Sequence, residues 1–167
     1  MLISVLIPCY NEKNSIEEIV NRINNLTNLE IEIIIIDDYS NDGTREILKD
    51  KIKSKVSKII FNEANFGKGY SLKKGIHIAT GDIILIQDAD LEYNPKEYYK
   101  LTKPIMDGNA EVVYGSRFIG GDERRILFFW HTVANKLLTL LSNMFTNLNL
   151  TDMETCYKVF KKEIIKK

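Results

Sequence analysis

With 167 residues, 44% of them hydrophobic and 28% charged, the chain has the balance of one ordinary globular domain and too much apolar material to stay disordered. Lys plus Arg and Asp plus Glu stand at 23 each, so there is no net charge and no overall basic field to attract nucleic acid. Cys9 and Cys156 lie far apart without metal-ligand spacing, which fits buried, reduced thiols.

In chain order, residues 2–7 form an apolar run ended by Pro8, expected as a buried strand. With Asn11-Glu12-Lys13 so near, and neither a basic lead nor a cleavage site, this run is not expected to be a secretion signal. Asn14 or Ser15 caps a helix to about Leu26, with Ile16, Ile19, Val20 and Ile23 on one face. Residues 31–36 are nearly all Ile, the mark of a strand buried on both faces, as in a parallel sheet. The polar loop 37–43 leads to a helix over 44–52, and 56–61 is a third strand. Gly67 and Gly69 introduce a helix over 70–79, stopped by Thr80-Gly81, and 82–87 is a fourth buried strand. Pro95 opens a helix to about Met106, where its missing N–H does no harm. Residues 110–114 are a fifth strand, 126–145 a long apolar-rich helix and 155–160 a last strand. No run reaches the roughly 18 apolar residues that a membrane span needs. Alternating strands and helices predict an α/β fold with a mainly parallel sheet and right-handed crossovers. Ligands of such sheets bind beyond the carboxyl ends of the strands, where the polar clusters 8–12, 37–42, 88–92 and 115–117 fall.

The sharpest cluster is Asp88-Ala89-Asp90-Leu91-Glu92, directly after the apolar run 83–86. On an extended segment alternate side chains point the same way, which would aim Asp88, Asp90 and Glu92 at one point. Three unpaired carboxylates repel. A hard divalent cation, Mg2+ or Mn2+, resolves the repulsion and also takes oxygens of a substrate diphosphate. Ala89 leaves a ligand room to approach the backbone. A solvated acidic turn is the plainer alternative. Tyr10 is placed to stack on a nucleobase, and Asn11 or Glu12 to hydrogen-bond it, unless Pro8 to Glu12 is simply a strand-to-helix turn. Asp37 and Asp38 can accept from a base N–H or a ribose hydroxyl, or serve as cap and Asx turn. Arg117, Arg124 and Arg125 carry guanidinium forks suited to a diphosphate or a lipid phosphate, against the alternative of solvated side chains. Gly67-Lys68-Gly69 reads first as a turn, although its place before a helix allows it to cradle phosphate. His77 and His131 have no second ligand at metal spacing and are assigned to structure.

Taken in order, five stretches resemble family 2 glycosyltransferases of GT-A fold. They are Val5-Leu6-Ile7-Pro8-Cys9-Tyr10-Asn11-Glu12, Ile36-Asp37-Asp38-Tyr39-Ser40-Asn41-Asp42-Gly43-Thr44, Asn65-Phe66-Gly67-Lys68-Gly69, Gln87-Asp88-Ala89-Asp90-Leu91 and Gly115-Ser116-Arg117-Phe118. The chain is most similar to the polyprenyl-phosphate (dolichol-phosphate) mannosyl- and glucosyltransferases of that family. The resemblance implies one catalytic domain over 1–167, lacking the C-terminal part of the family domain. It implies that Pro8, Tyr10, Glu12 and Asp38 hold the nucleoside. Asp88 and Asp90, with Glu92, would hold metal and diphosphate, and Arg117 and Arg124 would meet phosphates. Asp152, in Asp152-Met153-Glu154-Thr155-Cys156-Tyr157, matches the position proposed in the family as the catalytic carboxylate. Mannosyl-type relatives often carry Gly-Leu-Gly where this chain has Gly67-Lys68-Gly69. They carry Thr-Ser-Gly-Phe-Arg where it has Glu154-Thr155-Cys156-Tyr157-Lys158, so mannose is not singled out.

The implied reaction is an inverting, metal-dependent transfer of a hexose from a UDP- or GDP-sugar to a polyprenyl or dolichyl phosphate. Asp90 and Asp152 would lie beside the reacting centre. A lipid phosphate is already anionic at neutral pH, its second pKa being about 6, so it needs no general base. Asp152 would then orient the acceptor or stabilise positive charge. A saccharide hydroxyl, the acceptor in glycan-building members of the family, would need a base. Leu127, Phe128, Phe129, Trp130, Leu137, Leu138, Leu140, Leu141 and Phe145 accompany Arg124, Arg125 and Lys136. Residues 124–145 therefore suit a peripheral helix in a membrane interface, or one buried against the sheet or a further C-terminal segment. The expected location is cytoplasmic, at the face of a membrane. A nucleotidyltransferase is disfavoured, since Pro8 to Glu12 stands where that class has a Gly-rich loop and Lys. A non-catalytic nucleotide-sugar binding module is the remaining rival, and oligomeric state is left open.

Overall fold

A computed structural model describes residues 1–118 and 129–166. Its strands are β1 (Ile3–Cys9), β2 (Ile31–Asp37), β3 (Lys58–Phe61), β4 (Ile83–Ile86), β5 (Val112–Tyr114) and β6 (Lys158–Lys161). Its helices are α1 (Ile16–Asn24), α2 (Thr44–Ile47), α3 (Lys68–Ile78), α4 (Tyr98–Met106), α5 (Phe129–Thr146) and α6 (Lys162–Ile165). The strands form one sheet in the order β3-β2-β1-β4-β6-β5. β1 to β4 run parallel, and β6 is antiparallel to both its neighbours. The expected α/β architecture, a mainly parallel sheet flanked by helices, is present.

The pleat of β1 sorts the layers. Ile3, Val5, Ile7 and Cys9 share one cluster with Ile16, Ile19, Val20 and Ile23 of α1, and with Leu48, Ile52, Tyr98 and Ile105. Leu6 joins Ile34, Ile36 and Ile84 in a second cluster with Leu72 and Ile76 of α3. The four α1 side chains are at most 1% exposed, and burying each contributes about 1.5–3 kcal/mol. Alternate spacing in the strand and i, i+3, i+4 spacing in the helix thus decide which faces meet. Gly75 lets α3 close onto the sheet, since a Cβ there would stand 2.8 Å from Ile36 Cδ1.

Several boundaries differ from the sequence expectation for local reasons. β1 continues through Pro8. The Leu6 carbonyl accepts from Gln87 N–H at 3.0 Å, so even residues of β1 face β4. β4 ends at Ile86, opposite Leu6, and the missing N–H of Pro8 therefore faces no strand. The helix expected over 44–52 is a short α2 followed by a π-helical turn, Leu48–Ile52. α3 starts at Lys68 rather than Tyr70 because Gly67, at φ 87, turns the chain into it. Pro95 opens a 3-10 turn leading into α4, capped by Asn94, which accepts Lys96 N–H at 3.1 Å. The last strand begins at Lys158, not Thr155.

α5 is not buried against the sheet. Its buried residues, Asn135 and Thr139, are polar, while Leu137, Leu138, Leu140, Leu141, Met144 and Phe145 are exposed. Arg124, Arg125 and the expected start of this helix at 126–128 lie outside the described residues. No helix among the described residues is long and apolar enough to cross a membrane.

Cys9, Asp37 and Phe61 align across β1, β2 and β3, so the segments after them leave from one edge. Because β6 runs antiparallel to β4, residues just before Lys158 arrive at that same edge, beside the segment after Ile86.

Candidate active site

Two loops at this edge are stitched together by their own polar groups. Asn11 N–H donates to Ser40 Oγ (2.9 Å), Asn41 N–H to Asn11 Oδ1 (2.9 Å), Glu12 N–H to Thr44 Oγ1 (2.9 Å) and Lys13 N–H to Asp42 Oδ2 (3.3 Å). These bonds hold Asn11 (φ 58) and Tyr39 (φ 68) in left-handed backbone, a conformation that costs about 1 kcal/mol or more away from glycine. Tyr10 and Tyr39 are each left 47% exposed.

The carboxylates beneath are already committed. Asp37 is fully buried and accepts from Arg45 Nε at 2.6 Å, while its Oδ1 has no partner among the described residues. Asp38 accepts from Asn62 Nδ2 (2.7 Å) and from the N–H groups of Phe66 (3.1 Å) and Gly67 (2.7 Å). Burial opposes its charge, yet these donors hold its carboxyl below the usual aspartate range. Asp38 thereby shapes the loop that starts α3, and Glu12 accepts the Ser15 hydroxyl at 2.5 Å ahead of α1. Of the residues expected at the nucleoside, Tyr10 presents an open ring. Asn11, Glu12, Asp37 and Asp38 are engaged in fixing the loops, and Pro8 lies within β1.

Directly after β4, Gln87 is fully buried. Its Oε1 accepts from the hydroxyls of Tyr98 (2.8 Å) and Tyr157 (3.1 Å), and its Nε2 donates to the Asp88 carbonyl (2.8 Å). Asp88 N–H meets Cys156 Sγ at 3.1 Å. This frame carries a turn, and the extended alternation expected for Asp88, Asp90 and Glu92 does not occur. Glu92 N–H folds back onto Asp90 Oδ1 (3.0 Å), with Leu91 at φ 64. Among the described residues no three acidic, His or Cys side chains gather as a metal-ligand set. Asp88 Oδ1 holds Lys68 Nζ at 2.5 Å. Burial, then the charges of Asp88 and Glu92, push the Asp90 carboxyl up. Carboxylates that oppose one another's charge fit a divalent cation, and one or two of them completed by phosphate oxygens and water are the usual Mg2+ arrangement. Ala89 is 3% exposed and packs in the core, so it offers a ligand only its backbone.

A second charged centre comes from the segment before β6. Arg117 grips Asp152 through Nε to Oδ2 (2.7 Å), Nη2 to Oδ1 (2.8 Å) and its backbone N–H to Oδ2 (3.0 Å). Asn135 of α5 donates to the same Oδ1 (3.3 Å) and to Glu154 Oε2 (2.7 Å). Asp152 is 1% exposed. Burial opposes its charge, but the Arg117 fork and Asn135 hold its carboxyl below the usual range, and the hydrogen bond to Asp152 raises Arg117 in turn. In this arrangement both oxygens of Asp152 are occupied by donors from Arg117 and Asn135. The Arg117 side chain keeps 29% exposure. Lys158 stands nearby, its ammonium donating to the Thr155 carbonyl and lying 5.4 Å from the Tyr114 ring centre; burial and the charge of Lys68 lower its pKa, and the charges of Asp88 and Asp152 pull the other way. Lys68, Lys158 and Arg117, interleaved with Asp88, Asp90 and Asp152, make an edge suited to phosphate groups and a cation. A separate groove of about 700 Å³, lined by Ile60, Tyr70, Ile76, His77 and Ile165, shares none of these residues.

The family model for glycosyl transferase family 2 matches residues 4–167. The chain belongs to that family. It is 33% identical over 137 residues to a dolichol-phosphate mannosyltransferase of Pyrococcus furiosus, covering 81% of this chain and 39% of that protein. It is 28% identical over 169 residues to an undecaprenyl-phosphate 4-deoxy-4-formamido-L-arabinose transferase of Aeromonas hydrophila, covering 98% of this chain and 50% of that protein. The chain thus spans half or less of the length of these curated relatives. It superposes on glucosyl-3-phosphoglycerate synthase of Mycobacterium tuberculosis, in complex with Mn2+, UDP and glucosyl-3-phosphoglycerate, with a TM-score of 0.73 at 22% identity over 98% of this chain and 57% of that one. For a mannosyltransferase of Pyrobaculum calidifontis in complex with GDP-Man and Mn2+ the TM-score is 0.69 at 19% identity, over 98% of this chain and 45% of that one. These likenesses establish the expected GT-A fold.

In this family 2 glycosyltransferase domain, several residues that build the edge are not singled out by sequence reasoning. Asn62, Gln87 and Cys156 act beneath the surface, where a motif reader sees only flanking positions. Lys158 belongs to the site because β6 is antiparallel, which residue types do not reveal. Asn135 and Thr139 did carry a signal: two polar residues four apart fall on one stripe of an apolar-rich helix.

Proposed function

We propose that this domain holds the donor site and the acceptor-phosphate contact of a glycosyltransferase that moves a hexose from a nucleotide-diphosphate sugar to a polyprenyl or dolichyl phosphate, at the cytoplasmic face of a membrane. The observation that carries the reading is the Arg117–Asp152 pair. A carboxylate with both oxygens filled and its proton affinity depressed suits an acceptor that arrives as an anion. The partly exposed guanidinium beside it offers that anion a cation. Both curated relatives are named for a lipid phosphate, which supports the same choice.

In this reading Tyr10 stacks on the base, and Glu12 and Asp38 keep its loops in place. Lys68 and Lys158 meet the diphosphate. Asp88 and Asp90 would hold Mg2+ or Mn2+, which when bound supplies counter-charge for the departing diphosphate. The bond from the anomeric carbon to the diphosphate oxygen breaks as a bond to the acceptor's phosphate oxygen forms on the opposite face, and a nucleoside diphosphate leaves. No proton has to be taken from the acceptor. Asp152 keeps Arg117 aimed at the acceptor's charge. The exposed face of α5, with Phe129, Trp130 and Phe145, lies in the membrane interface.

A thermal-shift panel of UDP-glucose, UDP-GlcNAc, UDP-galactose and GDP-mannose, each with and without Mn2+, tests the donor half. A ligand at about 100 times its Kd adds roughly 2.7 kcal/mol. The expected result is a metal-dependent shift with one donor that vanishes in Asp90→Ala. No shift with any donor, in this chain and in a C-terminally extended one, overturns the reading.

A further inference from the structure

Helix α5 is seated inside out. A surface helix ordinarily buries its apolar stripe and turns its polar side to water. Here the leucines of α5 face outward, while Asn135 (4% exposed) and Thr139 (5% exposed) face the domain. Both meet one short segment. Thr139 Oγ1 accepts from Met153 N–H at 3.2 Å, and the Asn135 amide donates to Asp152 Oδ1 (3.3 Å) and Glu154 Oε2 (2.7 Å). That segment is the one that grips Arg117.

The chemistry at this point calls for an amide. Asp152 and Glu154 are two anions only two residues apart, and one of them is fully buried. A side-chain amide has two N–H groups and no charge, so it supplies one hydrogen bond to each carboxylate without displacing Arg117. Leucine would leave both carboxylates short of a donor, and aspartate would add a third negative charge.

We propose that Asn135 is a positioning residue for Arg117: from α5 it fixes Asp152, and through Asp152 it sets the guanidinium that meets the acceptor's phosphate. This rests on the reading of Arg117 given above. It ties the helix whose outer face would meet the lipid to the side chain that would meet the phosphate.

The test is a double-mutant cycle in the full-length protein, read as the Kd of farnesyl phosphate by titration calorimetry, with farnesol as the phosphate-free control. Arg117→Ala is expected to weaken farnesyl phosphate binding at least about tenfold, and Asn135→Ala about fivefold. The double variant should bind no more weakly than Arg117→Ala alone, because the two act as one unit. Farnesol binding should not change. Thr139→Val loosens the same seam without touching Asp152, so it should lower Tm and leave Kd unmoved. If Arg117→Ala leaves the affinity intact, the phosphate reading itself fails and this inference goes with it. If Arg117→Ala weakens binding while Asn135→Ala does not, or if the two effects add, only the positioning role is overturned. Should Asn135→Ala not fold, Asn135→Ser, with one donor in place of two, goes through the same cycle with the same criteria.

Discussion

Four donors converge on the two oxygens of Asp152: three from Arg117 and one from Asn135. Asp152→Asn keeps the volume but turns an amide N–H against the Arg117 fork and removes the charge that holds it. The transfer rate should fall about a hundredfold. Because no proton passes through Asp152 in the proposed reaction, the pH–rate profile should keep its shape between about pH 6 and 9. A steep new pH dependence in that variant would make Asp152 a base and point to a hydroxyl acceptor. Asp38 carries a comparable load at the other end of the site. Asp38→Ala takes the acceptor from the Phe66 N–H and one of two acceptors from the Gly67 N–H and the Asn62 amide, which keep Asn65 Oδ1 and Ser71 Oγ, and a loss of about 2 kcal/mol is expected in urea denaturation. An unchanged stability would show that water replaces the carboxylate at no cost. Neither geometry was legible in the sequence. Asp37-Asp38 marks a polar loop, but which aspartate turns inward onto Arg45 and which onto Gly67 depends on loops far apart in the chain.

At the level of elements, legibility followed periodicity. The Ile-rich run at 31–36 and the apolar stripe of Ile16, Ile19, Val20 and Ile23 emerged as β2 and α1 because burial of those patterns has one geometric solution. Asp88 to Glu92 did not follow its pattern, since alternation aims side chains only while the chain stays extended, and the Asp90 turn ends that. Of the readings open for α5, the structure removes one: a helix packed on the sheet would bury its leucines, and this one exposes them, which leaves a membrane interface or a further C-terminal segment as its cover. The substitution pair Leu137→Ser with Leu141→Ser exploits the difference, both side chains being exposed. In a buried helix such truncations would cost several kcal/mol each. Here Tm should barely move, while flotation with liposomes containing anionic lipid should fall. If the wild-type domain does not float with or without anionic lipid, the membrane role of α5 is overturned.

Over the whole molecule, the sheet order is what the residue types could not supply. Nothing in 155–160 states a direction, yet only an antiparallel β6 delivers Asp152, Cys156 and Lys158 to the carboxyl end of β4. That edge gathers carboxylates in opposing states, and stability should record their balance through pH. The donors around Asp38, Asp42 and Asp152, with those around Glu32 on another edge, outweigh burial and hold these carboxyls below their ordinary values. A carboxyl lowered by folding stabilises the fold above its ordinary pKa, about 4, and that contribution is lost as pH falls through the lower folded value. Asp90, raised by burial and by Asp88 and Glu92, has the opposite sign: its contribution is present in acid and lost as pH rises through its folded value. The urea midpoint should therefore hold from about pH 7 to pH 5 and drop below about pH 4, less steeply in Asp152→Asn. Asp90→Asn should gain stability near neutral pH, where the native chain carries the opposed charge, and should lose the Mn2+-dependent donor shift. An Asp90→Asn domain less stable than the native one at pH 7 would show that this carboxylate is satisfied without a cation, and the case for a metal at Asp88 and Asp90 would lose its physical basis.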